Sequence, residues 1–286
     1  MPIADRRHFA IAFALTLAAC ATPPSPGEPG PHRVPLEPYL GTLRTVEVEV
    51  GGARHAFLFD TAGGATLLTP RLAAEVGCKP FGRVTGFRHS GERLDLPRCG
   101  AATFDLGGYE ARVESAVFDL MALLPEGVPE LGGIIAIQTF EGRPWTLDLS
   151  RNELIIENEA SLALRTVAMK EIGVRSSRQG GGGSIDLFMR VDATPGALWL
   201  EVDSGNAGPV ILSPHALPAL GIDATPKPDE TIDVVLPIAG YGPVNVKAVV
   251  KDTIYDGLLN AAFLDQHVLA VSADLQRAWL APAGKR

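Results

Sequence analysis

The sequence predicts a mainly β protein of two lobes related by an internal repeat, with few short helices. Three observations predict it. Apolar and polar residues alternate with a period of two along much of the chain, as in TVEVEV (45–50), ARVESAVFDL (111–120) and VNVKAVV (244–250). The 31 glycines and 23 prolines are spread through 286 residues, which suits many short strands and tight turns better than long helices. One element also occurs twice: FLFDTAGG around Asp60 and LEVDSGNA around Asp203.

Residues 1–19 read as a signal peptide. Arg6 and Arg7 give a basic start, an apolar run extends from Phe9 to Ala19, and small residues precede Cys20. The run is too short to span a bilayer, so it is read as a cleaved export signal. Leu17-Ala18-Ala19-Cys20 resembles the lipobox of bacterial lipoproteins. That resemblance implies lipid on Cys20 and a protein anchored at the periplasmic face of the cell envelope; Ala21 leans towards the outer membrane. An ordinary signal peptide with a chance cysteine is the alternative. Arg6-Arg7-His8-Phe9 resembles, more loosely, a twin-arginine export signal. Residues 20–39 are rich in proline and read as a tether.

The repeat then divides the chain into an N-terminal lobe (40–157), a linker (158–183) that contains SSRQGGGG (176–183), and a C-terminal lobe (184–282). Each lobe opens with a strand, then a second strand ending on its aspartate, then a third short apolar strand. Thr69-Pro70 introduces the helix RLAAEV, closed by Gly77; Ser213-Pro214 introduces HALPAL, closed by Gly221. A hydroxyl N-cap, proline in the first turn and glycine beyond the last turn are helix boundary signals. Alternating strands follow in both halves, then the apolar-glycine segments LGGIIAIQTF (131–140) and DGLLNAAFL (256–264). Each half closes on a hairpin, WTLDLSRNELII (145–156) and VLAVSADLQRAWL (268–280).

Charge and motif content exclude several functions. A formal charge of −8 with no basic stripe argues against a nucleic-acid partner. The run Gly180–Gly183 leads into Ser184 and Ile185 and so is no phosphate loop. Ser204 is not in a Gly-x-Ser-x-Gly turn, and no His-Glu-x-x-His or comparable ligand cluster occurs, so neither metal nor cofactor is expected. In an oxidising compartment Cys78 and Cys99 either bridge or remain two buried thiols. A bridge would close a loop of about 22 residues and contribute on the order of 3 kcal/mol.

An aspartate at the inner end of an apolar strand is costly unless it is paired, hydrogen-bonded or protonated. Facing the two repeats about a twofold axis brings Asp60 to Asp203. Two close carboxylates share one proton and titrate with one low and one raised apparent pKa. The ionised partner can take a proton from water, and the protonated one can donate to a carbonyl oxygen. Thr61 and Ser204 are placed to reach across to the opposite loop.

With these residues the chain resembles the aspartic proteases, most closely the retropepsin-like bacterial members, with two lobes in one chain as in the pepsins. The resemblance is sharp at the two aspartate turns (Asp60, Thr61, Ala62, Gly63; Asp203, Ser204, Gly205) and loose elsewhere in 40–282. It implies a closed two-lobed β-barrel fold and a monomer with a peptide cleft, in which Asp60 and Asp203 hold the attacking water. It also implies a flap, for which TGFRHSGERLD (85–95) is the candidate, with Phe87 and His89 towards substrate; the alternative is an exposed turn. The family pattern has glycine where this chain has Ala62, Ala136 and Asn260, whereas Gly205 conforms. Two functions follow: an endopeptidase acting on peptides or proteins, or a binding lipoprotein that keeps the cleft without the catalysis. An unrelated structural lipoprotein is the third reading.

Overall fold

A computed structural model describes residues 30–223 and 225–284. The expected signal peptide, Cys20 and residues 21–29 of the tether lie outside the described residues.

Alternation builds the first hairpin. In Leu43–Val50 the side chains of Val46, Val48 and Val50 are buried and those of Glu47 and Glu49 exposed. The strand turns at Gly51-Gly52, both with positive φ, and pairs antiparallel with Ala53–Phe59. Gly133–Ile135 then threads between two strands, parallel to Ala53–Phe59 and antiparallel to Thr66–Leu68. Thr66–Leu68 lies parallel to Glu110–Val117, which pairs with Arg93–Asp105. A bridge from Asp105 to Glu49 closes the lobe.

The C-terminal lobe repeats this order. Ser184–Val191 pairs with Leu198–Glu201, and Gly257–Leu258 threads parallel to Leu198–Glu201 and antiparallel to Val210–Leu212. Val210–Leu212 lies parallel to Gly242–Val250, which pairs with Ile232–Ile238, and Val191 meets Ile238 to close the lobe. The threaded strands explain a glycine in each half. A Cβ on Gly133 would lie 1.8 Å from the Leu67 carbonyl oxygen, and one on Gly257 2.4 Å from that of Ile211.

Six strands join the lobes in the order Lys170–Ile172, Ala278–Pro282, His267–Val271, Trp145–Asp148, Glu153–Ile156, His32–Tyr39. The two innermost pair antiparallel, Leu269 with Leu147 and Val271 with Trp145, so the pseudo-twofold passes between them. One apolar core is continuous from this sheet into both lobes. Buried Arg44 adds a polar tie, reaching Asp265 at 3.0 Å and Asn152 at 2.6 Å.

Three expectations change. Residues 32–39 are not tether: His32–Tyr39 is a strand of the joining sheet. The expected linker is built structure. Asn158 and Ser161 form a capping box on the helix Glu159–Thr166, and fully buried Glu157 binds Arg165, Thr146 and Ser161. Val174–Gln179 pairs with Ser184–Val191, so SSRQ belongs to an edge strand and the glycine run is its turn. The first short helix, Pro70–Glu75, is capped by Thr69 as predicted from its sequence. The second is only Ala216–Ala219: Ser213 and Pro214 belong to a turn before it, so Ser213 does not cap it, and Pro218 lies within its single turn.

Cys78 and Cys99 are disulfide-bonded, with Cα atoms 5.4 Å apart. The bond spans the base of the hairpin formed by Phe81–Phe87 and Arg93–Asp105.

Candidate active site

Each aspartate is delivered by the end of a strand and held by its own loop. The Asp60 N–H donates to the Ile135 carbonyl at 3.0 Å, tying the turn to the threaded strand. The Ala62 N–H donates to Asp60 Oδ1 at 2.9 Å, and the Gly205 N–H to Asp203 Oδ1 at 2.9 Å. These two bonds are the same bond in the two lobes.

The neighbouring hydroxyls cross between lobes reciprocally. The Thr61 N–H donates to Ser204 Oγ at 3.0 Å, and the Ser204 N–H to Thr61 Oγ1 at 3.0 Å. Thr61 Oγ1 donates to the Val202 carbonyl at 2.5 Å and Ser204 Oγ to that of Phe59 at 3.1 Å. Both side chains are buried, so four bonds lock the aspartate loops face to face. A Cβ on Gly205 would lie 2.5 Å from Asp60 Oδ2, so the Asp60 carboxylate rests against the loop that holds Asp203.

Burial dominates the electrostatics. It pushes the Asp60 carboxyl up to about 6, although the N–H groups of Ala62, Gly205 and Gly63 favour its ionised form. Asp203 is pushed well above the carboxylate range, first by burial and then by the Asp60 charge. The expectation of one low and one raised value is corrected: desolvation outweighs the hydrogen bonds at both groups. Asp60 is the first to ionise and Asp203 keeps the proton.

No family model and no curated protein matches the chain. Solved structures do match. An aspartic proteinase from Irpex lacteus superposes with a TM-score of 0.53 at 14% identity, covering 89% of this chain and 98% of that one. The fold is pepsin-like. Basic 7S globulin from soybean (TM-score 0.57, 9% identity) and conglutin gamma from lupine seeds (0.57, 12%) each match over 88% of this chain and 95% of theirs. At these identities the likeness is one of fold.

The pepsin-like cleft is a cavity of ≈ 430 Å³ that contains both aspartates. The hairpin of Phe81–Phe87 and Arg93–Asp105, which contains the flap candidate 85–95, lines one side of it. Its tip is closed by the Gly91 N–H on the Arg88 carbonyl at 2.8 Å, and it crosses to the other lobe, where the Ile254 N–H donates to the His89 carbonyl at 2.9 Å. The Phe87 N–H donates to Gln179 Oε1 at 3.2 Å. Phe87 and His89 both line the cavity. Phe87 is half exposed, and His89 is held below the usual histidine range by burial, then by Arg88 and Lys251.

The departures from the glycine pattern are accommodated locally. Ala136 is extended, with φ −101° and ψ 168°. Asn260 has φ −126°, so it uses no left-handed conformation. It caps the helix Ala261–Asp265 through the Phe263 N–H at 2.9 Å and donates to the Gly208 carbonyl at 2.7 Å. Ala62 is not among the residues with positive φ. The cleft also contains two buried acids absent from the sequence-based site, Glu201 and Asp186. Parity could have located the first: Glu201 ends the strand Leu198–Glu201 and Asp203 follows two residues on, the spacing that puts side chains on one face of an extended chain.

Proposed function

We propose that this protein is an aspartic endopeptidase that hydrolyses peptide bonds with a water held between Asp60 and Asp203, and that lipid on Cys20 anchors it at the periplasmic face of the cell envelope. The carrying observation is the reciprocal Thr61–Ser204 lock, which fixes the two aspartate loops against one another, with both acids lining one cavity. Asp60, ionised first, takes a proton from the water as its oxygen attacks the scissile carbonyl. Asp203, still protonated, donates to the carbonyl oxygen as it becomes a hydroxyl. The resulting diol collapses with proton transfer to the leaving amine. Burial excludes bulk water and strengthens each of these interactions.

The second reading, a cleft that binds peptides without cutting them, is favoured by the presence of two basic 7S globulins among the structures that share this fold. One experiment decides. The full chain is incubated with denatured protein substrate from about pH 4 to 8, alongside Asp60→Asn and Asp203→Asn. Cleavage that disappears in either variant supports the peptidase. Persistence of cleavage in both variants, or binding without cleavage in the wild type at every pH, contradicts it.

A further inference from the structure

The two halves of the cleft differ chemically. In the N-terminal lobe Leu58, two residues before Asp60, packs with Leu43, Leu67 and Ile134 along an apolar wall. The residue related to Leu58 by the repeat is Glu201, two before Asp203. Glu201 is 4% exposed, lines the cavity, and its carboxylate receives no hydrogen bond among the described residues. A desolvated carboxylate without a partner is costly, and leucine serves the equivalent place in the other lobe.

The surroundings specify what would relieve that cost. Asp186, 3% exposed, lines the same wall and accepts from Gln179 Nε2 at 3.1 Å and Ser177 Oγ at 3.2 Å, and Gln179 also donates to the Tyr255 hydroxyl at 2.8 Å. Gln179 and Ser177 are therefore committed elsewhere, and neither donates to Glu201. Arg88 on the cavity lining lies at the flap tip and pairs with Glu92 at 3.4 Å. Among the described residues no three potential ligands converge to hold a metal ion. The missing partner is thus a cation on a long stem. Ile211 and Leu258 line the wall beside Glu201 and offer apolar surface to such a stem. Burial, and then the charges of Asp203, Asp186 and Asp60, push the Glu201 carboxyl well above the usual carboxylate range, and an entering ammonium or guanidinium favours its ionised form.

We propose that the C-terminal half of the cleft is a subsite for a lysine or arginine side chain flanking the scissile bond, with Glu201 as its buried partner, opposite an apolar subsite around Leu58. The proposal rests on the peptidase reading of Asp60 and Asp203. It makes the substrate a basic peptide or protein cut between one apolar and one basic residue.

The test uses the full chain and peptides with leucine on one side of the central bond and lysine, norleucine or glutamate on the other, in both orders. Matching peptides carry an uncleavable statine at that bond for fluorescence-anisotropy binding. Lysine should exceed norleucine by at least about tenfold in kcat/KM or in affinity. Glu201→Gln and Glu201→Leu, the latter copying Leu58, should bring the lysine-to-norleucine ratio to one or below. Cleavage that prefers apolar residues on both sides, or a lysine preference unchanged in Glu201→Gln, overturns the subsite and spares the peptidase. Statine peptides bound with the lysine preference but no cleavage support the subsite and overturn the peptidase. Neither binding nor cleavage overturns both. If both variants unfold, the wild-type lysine-to-norleucine ratio alone decides.

Discussion

Replacing Asp60 by asparagine should stabilise the protein at neutral pH while removing its activity. The ordinary value for this carboxyl is 3.8, and in the folded chain it is pushed up to about 6. As pH rises from 4, the unfolded chain ionises first, so folding loses free energy until the folded group also ionises near 6. Below 3.8 both states are protonated and the effect vanishes. A rise of this size corresponds to about 3 kcal/mol at pH 7. Asparagine keeps an oxygen for the Ala62 N–H but carries no charge, and it also relieves the repulsion felt by Asp203. For a chain of this size the gain corresponds to roughly 6–12 °C in Tm. Thermal unfolding followed by circular dichroism at pH 3, 5 and 7 reads it: the variant and wild type should coincide at pH 3 and diverge as pH rises. A variant no more stable than wild type at pH 7, or a gap independent of pH, would refute the reasoning.

Other predictions concern the same loops. The singly ionised pair forms as pH rises through about 6, so kcat/KM should climb about a hundredfold between pH 4 and 7; a pH–rate profile with its maximum near 4 would contradict this. Gly205→Ala places a methyl 2.5–2.8 Å from the atoms of the Asp60 carboxyl group and should lower kcat by at least about a hundredfold. Ala62→Gly should keep activity and cost roughly 0.5–1 kcal/mol through the freer unfolded chain, measured by urea unfolding beside Gly205→Ala. Ser204→Ala leaves the buried Thr61 N–H without its acceptor and should cost about 1–3 kcal/mol in the same assay.

The parts of this molecule that were legible in its sequence are those set by local geometry. A strand ending on an aspartate and followed by a hydroxyl turn is one local unit, so its repetition exposed both lobes and located Asp60, Asp203, Thr61 and Ser204. Features set by distant partners were hidden. His32–Tyr39 contains Pro35 and Pro38 and reads as tether, yet it is a strand that changes partner along its length. Residues 32–35 pair with 153–156 and residues 36–39 with 43–46, and Pro35 falls at the changeover. The glycine run reads as a flexible joint, but it turns an edge hairpin against the flap, where a Cβ on Gly180 would meet Val84 at 2.6 Å. Glu201 looks like an ordinary polar strand residue in LEVD. Only the lobe packing shows that its face is the cleft and that no partner waits there.

The proposed mechanism requires Asp60 and Asp203 to act as one titrating pair. Carbon-13 NMR of labelled aspartate carboxyls across pH 3 to 10, in wild type and Asp60→Asn, measures this directly. One wild-type carboxyl should titrate near 6 with a second well above it, and the upper value should fall once the charge at residue 60 is gone. Two independent titrations at ordinary carboxylate values, with Asp203 indifferent to the substitution, would contradict it.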